Sequence, residues 1–442
     1  MALDMSTEKK SIVKPKPVSG FPEWLPEIRI VEQQWFDHIR KTFESYGFCS
    51  IETPSVEELD VLAAKGVDKE IYVLDRLHAD PNDKKEARLA LHFDQTVPLA
   101  RYVAQRFNDL VFPFKRYQMQ RVWRGERPQM GRSREFYQCD IDIINVDGLP
   151  ISFDAELPAI IYEALGGLGI GRFQIRISNR KILTGLLQSM GLDSIEVFRE
   201  IDKLDKIGAD QVRAELAKTL SPQQIDTIMN VASIKAGAEE AQALLAKLET
   251  VNEQMAEGVS ELRFVMSQLE HLPEHAVVAD LSIVRGLDYY TGTVYETRLL
   301  DFPEFTSSIC SGGRYDDLAS GYINKHLPGV GISIGFTRLF QVMQQFGVVP
   351  KDGPKSPTDV LVILPSEDQR ALAHETGRSL RLRGLNVEVY HAPQKIDRQI
   401  SYAEKKAIPF IWFLPNDRNP SHSVKNIFTR EQVDADPDRW EI

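Results

Sequence analysis

The strongest constraint on the fold is a predicted β-hairpin between residues 114 and 142, with a charged loop at its tip. Residues 114–123 are predicted to form the incoming strand, and the outgoing strand alternates polar with apolar residues. Counting by twos places Phe136, Gln138, Asp140 and Asp142 on one face of that strand, and Tyr137, Cys139, Ile141 and Ile143 on the other. One face can therefore pack into a core, while the other presents amide and carboxylate groups to a polar partner.

The loop of this hairpin concentrates charge. Its charged residues are Arg124, Glu126, Arg127, Arg132 and Arg134. A solvated, salt-bridged surface is the plainer interpretation, since exposed charge is common. The positive charges are all arginine, however, and the planar guanidinium group matches the geometry of phosphate. Together with the polar strand face, this composition favours an anion-binding site.

The same segment resembles motif 2 of the class II aminoacyl-tRNA synthetases, in the form found in histidyl-tRNA synthetases. That motif runs Arg-x-Glu, a loop, then Arg-x-x-x-Phe, and the chain has Arg124 and Glu126 before the loop and Arg132 and Phe136 after it. Further resemblances are TPSVEELDVLAAKG at 53–66, LHFDQTVPLARYVAQ at 91–105, VRGLDYYTGTVYE at 284–296, SGGRYDDL at 311–318 and GVGISIGFTRLF at 329–340, the last being similar to motif 3. Because these segments span nearly the whole chain, chance does not account for the match.

The resemblance implies an α+β catalytic domain over residues 20–350, with a mixed, mainly antiparallel sheet and a helical insertion at about 186–268. Residues 28–46 show helical spacing of apolar side chains before a short strand, which is similar to motif 1, the dimer-forming element of this class. The insertion is rich in helix-forming residues, and residues 238–269 are predicted to form long helix. A plain helical spacer is the alternative interpretation of the insertion.

A C-terminal α/β domain is predicted at 356–442, after a linker rich in Gly, Pro and Lys. Its apolar strands are predicted at 360–364, 387–390 and 410–414, and its helices after a capping box at 366–369, with closure at Gly384, and at 395–407. This alternation predicts a parallel sheet, since parallel neighbours need crossover helices. In the resembled family the anticodon-binding domain lies here, although residues 415–423 depart from the family pattern.

A nucleotide-binding fingerprint of the Rossmann or P-loop kind is not found in the sequence. The GGLGIG sequence at 166–171 has the wrong glycine spacing and lies between a predicted helix and a predicted strand. It is predicted to be a helix stop and a turn.

The composition is that of a globular protein with two or three domains, at 442 residues with 43% hydrophobic and 26% charged. Cys49, Cys139 and Cys310 are widely spaced, which predicts neither a disulfide framework nor a zinc site and fits a reducing cytoplasm. Residues 1–19 are predicted to be a flexible leader, and no membrane span is expected. The net charge of −11 argues only weakly against a nucleic-acid partner, because clustered arginines act locally.

The resemblance implies ATP-dependent ligation of L-histidine to tRNA(His) through a histidyl adenylate, by a cytoplasmic homodimer. Adenylate formation brings a carboxylate to the α-phosphorus of ATP, so fixed cations are needed against charge repulsion. On the family pattern the ATP-binding residues are Arg124, Glu126, Arg132, Phe136 and Arg338, and the catalytic residues are Arg124 and Arg285. Mg²⁺ is expected to accompany ATP on its outer phosphates, and no metal site built by the protein alone is expected.

Recognition of histidine needs polar groups, because a site whose buried polar groups stay unpaired with the wrong ligand discriminates by roughly 10⁴-fold or more. On the family pattern, Asp142 and Tyr290 bind the ring, and Asp94, Thr96 and Gln138 bind the amino and carboxylate ends. The full set of predicted histidine-binding residues is Asp94, Thr96, Arg124, Gln138, Asp142, Arg285, Tyr289, Tyr290 and Tyr315.

Some of these residues have structural alternatives. Asp94 can cap a turn, and one of the adjacent Tyr289 and Tyr290 is expected to be core, since neighbours on a strand face opposite ways. Thr337 stands where many relatives have glutamate before the motif 3 arginine, which puts a neighbouring polar contact in question.

Two other functions remain open at this stage. The regulatory subunit of ATP phosphoribosyltransferase resembles the synthetase core, but it generally lacks the C-terminal domain and parts of the histidine and ATP signatures, which this chain keeps. A paralogue that makes free aminoacyl adenylate, or charges another acceptor, differs from the synthetase only through the C-terminal domain.

Overall fold

A computed structural model describes residues 14–63, 70–77, 88–284, 290–317, 319–417 and 419–442. The chain divides into two compact units, the first comprising the described residues of Met1–Glu23 and His38–Met343, and the second Trp24–Asp37 and Gln344–Ile442. The helices are α1 Pro26–Ser45, α2 Leu59–Ala63, α3 Thr96–Gln105, α4 Ser152–Gly166, α5 Arg180–Ser189, α6 Ser194–Ile201, α7 Leu204–Leu216, α8 Pro222–Ala232, α9 Ala238–Lys247, α10 Glu253–Gln268, α11 Phe336–Gln345, α12 Arg370–Leu382 and α13 Ile396–Lys406. The strands are β1 Cys49–Ser50, β2 Val56–Glu58, β3 Val73–Leu74, β4 Leu89–Leu91, β5 Phe114–Trp123, β6 Glu135–Ile144, β7 Phe173–Asn179, β8 Lys235–Gly237, β9 Val277–Asp280, β10 Thr293–Leu299, β11 Cys310–Tyr315, β12 Gly329–Ile334, β13 Val360–Val362, β14 Val387–Val389, β15 Phe410–Phe413, β16 Ser423–Asn426 and β17 Gln432–Asp434.

The first unit is built on a large sheet. Within the described residues its strands follow the order β1-β5-β6-β12-β11-β10-β7-β9-β8. The pairs from β5 to β7 are antiparallel, whereas β1 with β5 and β7 with β9 are parallel. The mixed, mainly antiparallel sheet expected from the resemblance is therefore confirmed.

The predicted hairpin is confirmed as β5 and β6. The two strands pair antiparallel from Phe114 opposite Ile144 to Trp123 opposite Glu135. Most of the apolar face of β6 is buried, since Cys139, Ile141 and Ile143 have no exposed surface, whereas Tyr137 is half-buried. Burial of this face fixes the register, because a shift by one residue would carry carboxylates into the core. The polar face is thereby left to line the site described below.

The helical character predicted for 186–268 is confirmed by α5 to α10, although the long helix predicted at 238–269 is interrupted. The segment forms α9 and α10, because Leu248 is extended and Asn252 caps α10 by accepting a hydrogen bond from the Met255 amide (2.9 Å). The region also contributes β8, which pairs antiparallel with β9 at one end of the large sheet. Its helix α10 packs against α4, α5 and β7.

The second unit has a separate five-stranded sheet over its described residues, in the order β14-β13-β15-β16-β17. The predicted parallel arrangement holds for β14, β13 and β15, whereas β16 and β17 add antiparallel strands that the sequence had not predicted. The predicted capping box is wrong: Ser366 forms no side-chain cap, and a 3₁₀ turn, Glu367–Gln369, leads into α12. Gly384 follows α12 with a φ of 89°, as its predicted role in closing the helix requires.

The predicted turn at 166–171 is also confirmed. Helix α4 ends at Gly166, and Gly169 and Gly171 have φ values of 67° and 78°, which favour glycine. Among the described helices, none combines the length and apolar character needed to cross a membrane.

Candidate active site

A cavity of about 360 Å³ lies over the polar face of the large sheet. It collects residues from the β5–β6 hairpin, the start of α3, strands β10 to β12 and the start of α11. Of the residues predicted from the sequence, it is lined by Asp94, Thr96, Arg124, Glu126, Arg132, Phe136, Gln138, Tyr290 and Arg338. A smaller recess of about 20 Å³ is lined by Asp142 and Tyr315, and it shares Thr96, Tyr290 and Ser333 with the cavity. Arg285 and Tyr289 lie outside the described residues.

Three arginines occupy one end of the cavity. The Arg124 guanidinium lies 5.2 Å from the Phe136 ring centroid, and its Nε donates to the Phe93 carbonyl (3.0 Å). Arg338 donates to the carbonyls of Gly131 (2.8 Å) and Ser308 (3.0 Å). Backbone contacts of this kind fix the side chains without neutralising their charge.

The charge at this end is predominantly positive. Arg132 pairs with Glu126 at 3.2 Å. Burial lowers the pKa of Arg338, and the neighbouring Arg132 and Arg124 guanidinium groups lower it further. Mutual repulsion among fixed cations is relieved by a bound polyanion. The arrangement therefore suits phosphate groups, as the arginine-rich loop predicted.

The recess forms the acidic end of the site. The Asp142 carboxylate pairs with Arg116 (2.6 Å) and accepts a hydrogen bond from the Tyr315 hydroxyl (2.9 Å). Burial raises the pKa of Asp142, although Arg116 and Tyr315 oppose that effect. Burial also raises the pKa of Tyr315 well above its usual value, so its hydroxyl keeps the proton that it donates to Asp142.

Two glycines of β12 make room for this acidic end. A methyl group added at Gly331 would lie 2.0 Å from Oδ1 of Asp142, and one added at Gly329 would lie 2.3 Å from the Tyr315 ring. Both distances are far below van der Waals contact. The glycines in the GVG sequence of motif 3 are therefore required by the side chains that cross over them.

Asp94 and Gln138 each have one side-chain polar atom that is hydrogen-bonded within the fold and one buried oxygen that is not. Oδ1 of Asp94 accepts from the Val97 amide (3.1 Å) at the start of α3, which is the turn-capping role weighed from the sequence. Burial raises the pKa of Asp94 to about 6. Gln138 donates to Ser333 Oγ (2.6 Å). Among the described residues, Oδ2 of Asp94 and Oε1 of Gln138 are buried without a hydrogen-bond partner.

Tyr290 combines both roles that the sequence left open. It lines the cavity and the recess, and it also packs against a buried cluster that includes Leu99 and Tyr315. A methyl group at Gly313 would lie 2.8 Å from the Tyr290 ring, so this glycine admits the ring. Tyr289 lies outside the described residues, so the expectation that one tyrosine of the pair is core stays a prediction.

Sequence reasoning did not assign Asp140, Arg116 or Ser333 to the site. The signal for Asp140 was present, since the alternation of β6 places it between Gln138 and Asp142. Arg116 required the hairpin register, which sets it directly opposite Asp142. Ser333 lies opposite Asp140 on β12, and no local pattern marks it.

The Thr337 side chain takes the place of a strand partner as hydrogen-bond acceptor at the edge of the site. The ladder between β12 and β6 ends at Ile334 opposite Cys139, so the Tyr137 amide lies just beyond it. Thr337 Oγ1, in the first turn of α11, accepts a hydrogen bond from that amide (2.8 Å). The residue that departs from the family pattern therefore ties motif 3 to motif 2 between Phe136 and Arg338.

Comparison with known proteins agrees on one family. A family model described as histidyl-tRNA synthetase matches residues 20–339, and one described as an anticodon binding domain matches residues 359–439. A histidine–tRNA ligase from Thermobifida fusca is 55% identical over 436 residues, covering 98% of this chain and 99% of that protein. A second, from Micrococcus luteus, is 46% identical over 441 residues, covering 96% of this chain and 95% of that protein. The solved histidyl-tRNA synthetase from Nostoc sp. PCC 7120 has a TM-score of 0.87 at 39% identity, covering 96% of this chain and 97% of that chain. In sequence and in fold, the chain belongs to the histidyl-tRNA synthetase family.

Proposed function

We propose that the protein attaches L-histidine to tRNA(His) in two steps, through a histidyl adenylate, with release of pyrophosphate and then AMP. The observation that carries the proposal is the polarity of one cavity, which has arginines at one end and carboxylates at the other. ATP and a zwitterionic amino acid need those two environments side by side. The histidine–tRNA ligases that share about half of its sequence support the same activity.

In the first step, ATP binds at the arginine end. The adenine base stacks on Phe136 with Glu126 facing its amino group, and Arg132 and Arg338 bind the outer phosphates. Arg124 contacts the α-phosphate and the histidine carboxylate. A histidine carboxylate oxygen then attacks the α-phosphorus, and the bond to the bridging oxygen of pyrophosphate breaks. Preorganised guanidinium groups stabilise the charge that develops in this transition state.

Histidine binds at the acidic end, with its ring toward Tyr290 and Asp142. Because Asp142 is already held by Arg116 and Tyr315, its position is fixed before the ligand arrives. Thr96, Asp94 and Gln138 take the amino and carboxylate ends. A phenyl ring in place of the imidazole would leave buried polar groups unpaired, and that penalty gives the selectivity.

Arg285 and Tyr289 complete the proposed site. Arg285 would act on the transferring phosphoryl group, and Tyr289 on histidine. Among the described residues, no group of three His, Cys, Asp or Glu side chains is arranged to hold a metal ion. Mg²⁺ is therefore proposed as part of the ATP substrate, on its outer phosphates.

The remaining proposals concern organisation. Residues 20–350 form the catalytic domain with the insertion at about 186–268, and residues 356–442 bind the anticodon region of tRNA. Helix α1 and strand β1 correspond to the dimer-forming element of the class, so the active species is a homodimer. The three cysteines are free thiols, which fits a cytoplasmic protein.

Two assays of one preparation test the proposal. Histidine-dependent exchange of pyrophosphate into ATP reports the first step, and charging of tRNA(His) reports the second. Arg338→Ala should raise the KM for ATP by about 10-fold or more, since a charged contact to phosphate is lost. Arg127→Ala is the matched control, because Arg127 shares the hairpin loop but does not line the cavity.

The outcomes separate the alternative functions. Exchange followed by charging supports the ligase. Exchange without charging of any tRNA would indicate a paralogue that makes free adenylate. Absence of both activities from folded protein that binds histidine would favour the regulatory role.

A further inference from the structure

Three buried oxygen atoms that line the cavity have no hydrogen-bond partner among the described residues: Oδ2 of Asp94, Oε1 of Gln138 and Oδ1 of Asp140. The side chains are deeply buried, with 4%, 9% and 3% of their residues' surface exposed. A buried acceptor without a partner is costly, and native structures contain few of them. Three such atoms in one cavity indicate a ligand that brings hydrogen-bond donors.

The family pattern accounts for Asp94 and Gln138 but not for Asp140. Asp140 lies on β6 between Gln138 and Asp142, and it lines both the cavity and the recess. Its Cα is paired with Gln118 on β5 and with Ser333 on β12. The side chain therefore stands in the middle of the proposed histidine site.

We propose that Asp140 is a further histidine-binding residue, whose carboxylate accepts a hydrogen bond from the α-ammonium group alongside Asp94 and Gln138. This inference rests on the proposed function and adds a substrate contact to it. An ammonium group has three N–H donors and no acceptor, which matches three acceptors that lack donors.

The charges that face Asp140 favour a cation. Arg116 on β5 attracts it, but the Arg116 guanidinium already pairs with Asp142. Asp142 on the same strand and Asp94 before α3 repel it, and Cys310 on β11 lies close enough to be affected by it. Ser333 on β12 contributes a hydroxyl, which carries no charge. Arg116 is therefore the one cation that acts on Asp140 among the described residues, against two neighbouring carboxylates, and a ligand cation restores the balance.

The residues proposed to contact the imidazole ring are other than Asp140, and this is why the ammonium group is assigned to Asp140. Asp142 and Tyr315 bind each other at the bottom of the recess, where the ring is proposed to lie. Asp140 is repelled by both Asp142 and Asp94, and of these two Asp94 is the one with a buried oxygen that lacks a hydrogen-bond partner among the described residues. The burial of the Asp140 and Asp94 carboxylates, together with their mutual repulsion, keeps part of their population protonated in the free protein near neutral pH.

The test compares the full-length wild-type protein with Asp140→Asn, which keeps the size and removes the charge. The ligands are histidine, histidinol, which lacks the carboxylate, and imidazolepropionate, which lacks the amino group. We expect Asp140→Asn to bind histidine and histidinol about 10- to 100-fold more weakly, as for the loss of a charged hydrogen bond. Inhibition of pyrophosphate exchange by imidazolepropionate should be unchanged or stronger.

A second measurement does not depend on the loss of affinity alone. Calorimetry in two buffers of different ionisation enthalpy gives the protons released when histidine binds. The wild type should release more protons near neutral pH than Asp140→Asn, because the ammonium group favours the ionised carboxylate. Glu57→Gln is the matched control: Glu57 is also buried, pairs with Arg101 at 2.6 Å, and does not line the cavity.

Each result bears on the inference. Equal losses of affinity for all three ligands would show that Asp140 contacts the ring. Unchanged histidine affinity in a folded Asp140→Asn protein would show that Asp140 makes no contact with histidine. Either outcome overturns the inference and leaves the proposed function intact. A wild-type protein that fails to bind histidine overturns the proposed function and the inference with it. Thermal unfolding of each variant establishes that the protein compared is folded.

Discussion

Two carboxyl groups that line the cavity, those of Asp140 and Asp94, are held in states that a folded chain would not adopt for stability alone. Burial raises the pKa of Asp140 to about 7 and that of Asp94 to about 6. A carboxyl group with a raised pKa opposes folding at neutral pH, because the folded state disfavours its charged form. On the proposed function, these residues are explained by the substrate that they bind.

Asp140→Asn should stabilise the ligand-free protein at alkaline pH. The folded-state pKa of about 7 lies above the usual value near 3.8, so the folded state binds more protons between these values and wild-type stability falls as pH rises through that window. The substitution removes this dependence. At about pH 8 it should raise the free energy of unfolding by about 2–4 kcal/mol, and the gain should shrink by about 2 kcal/mol toward pH 5.

Thermal or urea unfolding at several pH values measures this difference. Glu57→Gln, which removes a carboxylate paired with Arg101, should not stabilise the protein at any pH. An Asp140→Asn protein that is less stable than wild type at about pH 8 would mean that the carboxylate's attraction to Arg116 outweighs its desolvation.

Gly331→Ala should damage the acidic end of the site. The added methyl group would lie 2.0 Å from Oδ1 of Asp142 and 2.9 Å from the Ile141 carbonyl oxygen, so Asp142 must leave Arg116 and Tyr315. We expect the free energy of unfolding to fall by about 2–5 kcal/mol, from overpacking and a broken buried ion pair. The KM for histidine should rise by about 10-fold or more, and the KM for ATP much less.

Gly321→Ala is the matched control for that substitution. A methyl group at Gly321 meets nothing within 4 Å, so the change should stay within about 0.5 kcal/mol. If both glycine variants behaved alike in unfolding and in exchange kinetics, the close approach of Asp142 to β12 would be without consequence.

At the scale of elements, the residue pattern within a segment predicted the structure of that same segment. The alternation along 135–144 predicted β6 and its polar face because burial of Cys139, Ile141 and Ile143 is encoded in the strand itself. The partnership of Asp142 with Arg116 depends on the register of the hairpin, and Ser333 reaches Asp140 from a strand almost two hundred residues later. Contacts of that second kind carry no signal in a single sequence.

Two features of the second unit were not predicted correctly, and both depend on contacts with neighbouring segments. Ser366 has the sequence of a capping box, but the chain enters α12 through a 3₁₀ turn, so the Ser366 side chain does not form the cap. Strands β16 and β17 are short, and their pairing to β15 depends on a neighbour rather than on periodicity. The resemblance to a family predicted the meeting of distant motifs, which periodicity alone did not.

Thr337→Val should loosen the junction between α11 and β6. The change keeps the shape of the side chain but removes the acceptor for the Tyr137 amide, leaving a backbone donor unpaired beside Phe136. We expect a loss of about 1–3 kcal/mol in the free energy of unfolding. The KM for ATP should rise more than the KM for histidine, because Arg338 and Phe136 flank this hydrogen bond.

Thr227→Val is the control for Thr337→Val. Thr227 is half-buried on α8, and its hydroxyl donates to the Gln223 carbonyl within the same helix (2.9 Å). Its substitution should change stability by about 0.5 kcal/mol or less and leave both KM values as in wild type. Equal effects of the two valines on the KM for ATP would exclude a positioning role for Thr337.

At the scale of the molecule, the two units have separate buried clusters among the described residues. The second unit has its own buried cluster, which runs from Val360 to Ile427 and includes the fully buried Trp412. A separate core allows one unit to lose its packing while the other keeps it. The two chemical steps of the proposed function can therefore be separated by substitution.

Trp412→Ala should uncouple the two steps. Trp412 packs against Trp440, and its indole N–H donates to His422 Nδ1 (3.0 Å), so the substitution opens a large cavity in the second core. We expect the free energy of unfolding of that unit to fall by about 3–5 kcal/mol. Pyrophosphate exchange, which on the proposed function uses the cavity of the first unit, should stay within about 3-fold of wild type, whereas charging of tRNA(His) should fall by about 10-fold or more.

Phe340→Ala is the matched substitution in the other core. Phe340 is fully buried in α11, two residues after Arg338, so its loss should reduce exchange and charging together. Calorimetric unfolding of both variants shows which transition each substitution lowers. If Trp412→Ala reduced exchange as much as charging, the second unit would be needed for adenylate formation itself, and a tRNA-binding role confined to that unit would have to be abandoned.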